Sequence, residues 1–118
     1  MAKEFLKKSW LNIWEHKSDR KQVECHWEKL IVAYSAKGRY YHNLNHIKMM
    51  ITSAQKHFKL IDDLKTLQLA IFYHDFVYSV KSKTNEEESA QMAGLSLKKL
   101  NYPNHFRLSL SSYFFYLV

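Results

Sequence analysis

The chain has 118 residues, enough for one compact domain and too few for two. Hydrophobic residues make up 47% and aromatics 15%, so a core is within reach, while two glycines and one proline cannot supply the tight turns of an all-β fold. The net charge of +7 is compatible with a phosphate-bearing ligand or a nucleic acid, yet the lysines are scattered through "LKKSW", "KSDRK" and "LKKL" rather than gathered into a stripe, so a solvated surface is the plainer reading.

The first helix is predicted over Phe5 to Trp14, with Phe5, Leu6, Trp10, Ile13 and Trp14 on one face. This stretch, "MAKEFLKKSWLNIW", is amphipathic and charged, without the apolar region or cleavage site of a signal peptide. After "KSDR", residues Val23, Trp27, Leu30 and Tyr34 recur at steps of four, three and four, a helical stripe that Lys37-Gly38 is expected to end. The single Cys25 has no disulfide partner in the chain, which suits a reducing cytoplasm. A third helix carries Leu44, Ile47, Ile51, Ala54 and Phe58 as its seam. A fourth is predicted from about Asp62 to Tyr78 on Leu64, Leu67 and Ile71. "SVKSKTN" reads as a polar loop, and Thr84 with Glu87 as a capping box opening a fifth helix on Ala90, Ala93, Leu97 and Leu100. Glu86, Glu87 and Glu88 suit the positive end of that helix dipole, and "NYPN" stops it. No apolar run approaches the roughly 20 residues that span a bilayer, so no membrane association is expected. The expected fold is therefore an all-α bundle of about five helices over residues 1–102, followed by an atypical tail, 103–118, that lacks acidic residues and a helical stripe.

Two short stretches carry the chemistry. "YHNLNHI" places His42 and His46 four apart, and "IFYHDFVY" places His74 directly before Asp75 inside an apolar run. On the fourth helix's seam the next positions are 74 or 75, so the pair lies at or beside a buried face. A buried carboxylate needs a positive partner, a set of N–H donors or a metal ion. If the third and fourth helices pack together, His46, His74 and Asp75 converge into a partial ligand set for Zn, Mn, Fe or a similar ion. A satisfied core histidine and an Asp75 bonded to a neighbouring Arg or Tyr is the structural alternative.

"YHNLNHI", "FYHDFVYS" and "NEEESA", in this order, resemble the metal-dependent phosphohydrolases of the HD superfamily, and within it a small bacterial group, from about Trp10 to Leu100. The first stretch is also similar to a segment of cyclic-nucleotide phosphodiesterases, which share the HD helical core. The resemblance implies an HD-like bundle, a divalent ion (Mn, Fe, Zn, Mg or Ni) and a phosphorylated small molecule or nucleotide as substrate. It implies that His46, His74 and Asp75 are metal ligands and that His42 protonates the leaving oxygen. Glu86 and Glu87 match its acidic pair, as partners of the ligands or as extra ligands, against a plain capping role.

The family's site ends with a further aspartate, whereas the aspartates here are Asp19, Asp62, Asp63 and Asp75, none after the pair. Ser79 stands where an acidic residue is expected. The break after Pro103 falls where the family's next helices begin, so a truncated or frameshifted C-terminus and impaired activity are expected. Apolar surface left bare by those helices, with the tail "YFFYLV", leads to the expectation of a homodimer. A non-catalytic helical interaction module, and a basic nucleic-acid binder, are the competing readings.

Overall fold

The computed structural model describes residues 2–14, 19–36, 43–61, 63–77 and 84–102; the side chain of Glu86 falls outside that description. It is all-α. Among the described residues five helices follow one another: α1 (Ala2–Ile13), α2 (Arg20–Tyr34), α3 (Leu44–Lys56), α4 (Leu64–Tyr73) and α5 (Asn85–Lys99). No strand occurs among the described residues, and none of their helices is long and apolar enough to cross a membrane.

Three of the helices, α2, α3 and α4, start on a short polar residue whose side chain serves orphan backbone N–H groups. The Asp19 carboxylate accepts from Lys21 N–H at 2.9 Å and opens α2. Asn43 Oδ1 accepts from the N–H groups of Asn45 (3.0 Å) and His46 (3.2 Å) and opens α3. The Asp63 carboxylate accepts from Thr66 N–H at 3.2 Å and opens α4. Thr84 stands at the N-cap of α5 but makes no side-chain cap hydrogen bond, so the Thr84 half of the expected capping box is not formed.

The α5 end uses a different device. Tyr102 N–H donates to the Leu97 carbonyl and Asn101 N–H to that of Lys98, the paired bonds of a Schellman motif. The motif needs a left-handed residue at its turn, and Asn101 takes that conformation (φ 59°) in place of the usual glycine.

α4 is the axis of the packing: α3 lies on one side of it and α5 on another, while α1 bridges α2 and α3. Leu69, Ala70, Ile71, Phe72 and Tyr73 are all buried, five in succession, as in a helix surrounded by others. The expected seam of α4 is corrected accordingly: Ile71 is buried, but Leu64 and Leu67 are only partly so, because the core gathers at the C-terminal half. Trp10 is the hub from α1. Its indole N–H donates to the Val23 carbonyl (2.9 Å), and its ring meets Phe72 and Tyr73 edge-on at 5.4 and 6.0 Å. The stripes of α1 and α2 are buried as their spacing requires, except Phe5, which is only partly so.

Two further expectations are corrected. Phe58 is not part of the α3 seam: the helix ends at Lys56, and Phe58 is exposed in a 3-10 turn, Phe58–Leu60. The fourth helix ends at Tyr73 rather than Tyr78, for a reason that belongs to the site below. α2 stops at Tyr34 with Ser35 as its C-cap; the Lys37-Gly38 pair expected to end it lies, like the "SVKSK" loop and the tail 103–118, outside the described residues.

Candidate metal centre

Tyr34, the last residue of α2, decides where α4 stops. Its buried hydroxyl donates to the Phe72 carbonyl at 2.7 Å and accepts from Asp75 N–H at 3.3 Å. A further helical turn would need that carbonyl and that N–H for its own ladder. The chain instead turns, with Phe76 N–H bonding the Tyr73 carbonyl at 3.0 Å. His74 and Asp75 thus sit in the turn that leaves α4, not on its seam.

Beyond the pair the backbone is tied to α5. Ser89 Oγ accepts from Val77 N–H at 2.9 Å and donates to the Val77 carbonyl at 3.2 Å. From the other side, the Asn43 cap fixes the first turn of α3 and sets His46 there, half-buried. The imidazoles of His46 and His74 lie 5.9 Å apart, centre to centre, tilted by 56°.

One ligand atom each from His46, His74 and Asp75 lies within 4.8 Å of the others. The arrangement around His74 is the informative part. Its ring is buried, and Nδ1 stands 2.7 Å from the Ile71 carbonyl. A carbonyl only accepts, so Nδ1 carries the hydrogen. The other nitrogen, Nε2, faces Asp75 Oδ2 at 2.9 Å. A neutral ring in that tautomer turns a lone pair toward a carboxylate. The contact is stable only with a positive charge between the two atoms: a proton or a metal ion. The carbonyl at the α4 end adds to the demand, since a helix C-terminus is the negative end of its dipole.

Compared with protein-family models, with curated proteins and with solved structures, the chain matches none.

The donor set itself has the spacing of an ion site. Two ligands each about 2.1 Å from one ion, at about a right angle, stand roughly 3.0 Å apart. The 2.9 Å between Nε2 and Oδ2 matches that separation. Ligating histidines ordinarily donate their second ring N–H to a carbonyl or carboxylate, which the Ile71 carbonyl provides. His46, His74 and Asp75 therefore fit a divalent ion. Glu87 is exposed in the first turn of α5 and is not a member of this trio; Glu86 stands beside it in the helix. His42 lies outside the described residues.

Two residues that position the trio were not singled out from the sequence. Tyr34 was legible only as a stripe residue, although a tyrosine ending an otherwise aliphatic and indole stripe brings a hydroxyl that must find partners. In "NEEESA" the glutamates drew attention, whereas Ser89, wholly buried, does the fastening. Its signal was a small polar residue one step before the apolar face of α5 begins.

Proposed function

We propose that this chain is an HD-type metal-dependent phosphohydrolase acting on a phosphomonoester, phosphodiester or nucleotide in the cytoplasm. The observation that carries the reading is the His74–Asp75 contact: a carboxylate oxygen 2.9 Å from a ring nitrogen whose partner nitrogen already donates to a carbonyl. When bound, a divalent ion supplies Lewis acidity toward a phosphoryl oxygen and makes a coordinated water more acidic. The chain's own residues do the rest. Ile71 holds the tautomer of His74, Tyr34 holds the backbone of Asp75, and Asn43 sets the turn that presents His46. By resemblance, His42 gives the proton that the leaving oxygen needs.

Three protein ligands leave positions for water and substrate, as in catalytic zinc sites. The resemblance calls for one more carboxylate, and no aspartate follows Asp75 among the 118 residues. A homodimer belongs to it as well; the segment on which that expectation rests, "YFFYLV", lies outside the described residues.

The second reading is a non-catalytic helical module, favoured by the fact that a proton satisfies the His74–Asp75 contact as well as an ion does. Metal analysis of the full chain, purified without chelator, separates the two. The phosphohydrolase reading expects bound transition metal, lost in His74→Ala, and hydrolysis of a phosphodiester and nucleotide panel with added Mn²⁺. Protein that takes up no metal, and whose melting temperature neither chelator nor Mn²⁺ moves, belongs to the second reading.

A further inference from the structure

The turn that leaves α4 is held by three helices at once. Its successive N–H groups go to different partners: Asp75 to the Tyr34 hydroxyl of α2 at 3.3 Å, Phe76 to the Tyr73 carbonyl of α4 at 3.0 Å, and Val77 to Ser89 Oγ of α5 at 2.9 Å. Ser89 Oγ also donates to the Val77 carbonyl, at 3.2 Å. A hydroxyl that pairs with both backbone groups of one residue fixes that residue's place and the tilt of its peptides together. Val77 stands two residues beyond Asp75, so the far end of the ligand-bearing turn is anchored on α5 as its near end is on α2.

The two halves of α5 are attached differently. The second half buries Ala93, Ser96 and Leu97, with Leu100 at its cap. From Asn85 to Met92, Ser89 is the one buried side chain among those described; Glu87, Glu88, Gln91 and Met92 are exposed and Ala90 is half-buried. Thr84 gives the first turn no side-chain cap. Turns with so little apolar burial open locally at low cost. Their docking is therefore sensitive to the Ser89–Val77 pair, and that pair depends on the shape of the turn.

We propose that Ser89 couples the metal trio to the first half of α5, so that ion binding and the docking of these turns reinforce each other. The inference rests on the metal-binding function proposed above. Sharing an ion restrains His46, His74 and Asp75, and with them the turn that holds Val77 where Ser89 Oγ meets it. Coupling of this kind is reciprocal: the factor by which ion binding favours docking is the factor by which docking favours ion binding. Ser89 is thus a positioning residue for the trio, and the link by which ion occupancy reaches α5.

The test is amide hydrogen exchange of the full chain, read by mass spectrometry on peptides from α5, in chelator and in saturating Mn²⁺, with metal content measured on the same samples. Bound Mn²⁺ should slow exchange at residues 89–92 by about fivefold or more, the worth of a net hydrogen bond. In Ser89→Ala the slowing at those residues should be lost, and Mn²⁺ affinity should fall by about the same factor. Asp75→Asn, which disables the trio, should exchange alike with and without Mn²⁺. The proposal is overturned by bound Mn²⁺ with unchanged exchange at 89–92, by Ser89→Ala that keeps both the slowing and the parent affinity, or by slowing in Asp75→Asn. A parent chain that binds no Mn²⁺ overturns the metal-binding function and this coupling with it, and the metal content tells that result from the others.

Discussion

Asp75 is where a single atom separates the competing functions. Its Oδ2 faces a nitrogen lone pair of His74, and the pair needs a proton or an ion between them. Asp75→Asn replaces the carboxylate with an amide whose N–H can donate to that nitrogen directly, so no added charge is needed. The variant is expected to lose metal binding and yet be at least as stable as the parent when both are measured in chelator by urea unfolding. A variant that unfolds much more easily in chelator would show that the carboxylate is part of the fold rather than of a site. Tyr34 gives the complementary case. Tyr34→Phe removes a donor to the Phe72 carbonyl and an acceptor for Asp75 N–H, at a buried position. Leaving such groups unpaired costs about 1–3 kcal/mol. The loss should appear in urea unfolding even in chelator, and the metal content should fall too, because the turn carrying both ligands loses its anchor.

Helix boundaries behave as separate devices, and they differ in how much of themselves the sequence displays. The α3 start depends on Asn43, whose side chain serves two N–H groups. Asn43→Ala is expected to cost about 1 kcal/mol, as loss of an N-cap usually does, and to weaken metal binding because His46 rides on that first turn. Thermal melts with and without added Mn²⁺ read the two effects separately. The stripes of α1, α2 and α5 were legible because Trp10, Trp27 or Leu97 repeat at a spacing that only a helix turns to one side. The end of α4 was not. "IFYHDFVY" returns to apolar residues, Phe76 and Val77, after the His-Asp pair, and the agent that stops the helix is a hydroxyl on Tyr34, some forty residues earlier in the chain. Nothing local in the pattern marks it. The convergence of His46 with the His-Asp pair was legible for the opposite reason: it required only that α3 and α4 pack together, and their seams called for that. Thr84 and Glu87 had the right spacing for a box, yet the Thr84 cap is not made, which shows that spacing permits such a bond without compelling it.

Across the whole molecule, the excess of positive charge makes acid conditions costly, and one buried group ties that cost to the fold. His26 is 3% exposed on α2, with its pKa held below the ordinary value by burial first and then by Lys29 and Lys99. In the unfolded chain the imidazole regains a pKa near ~6.5. As the pH falls through that value, the unfolded chain takes up a proton before the folded protein does, so the equilibrium moves toward unfolding. The stability contributed by neutral His26 is thus complete above the unfolded pKa and declines below it, until the folded pKa is reached. Other histidines and the carboxylates titrate in the same region, so the wild-type curve alone does not isolate this group. The difference between wild type and His26→Gln does, because glutamine keeps a polar side chain at that position but takes up no proton. Melting temperatures measured in chelator from pH 8 to pH 5 should fall more steeply for wild type than for His26→Gln, the two curves diverging below about pH 6.5. Parallel curves would mean that His26 takes up its proton equally well in the folded protein.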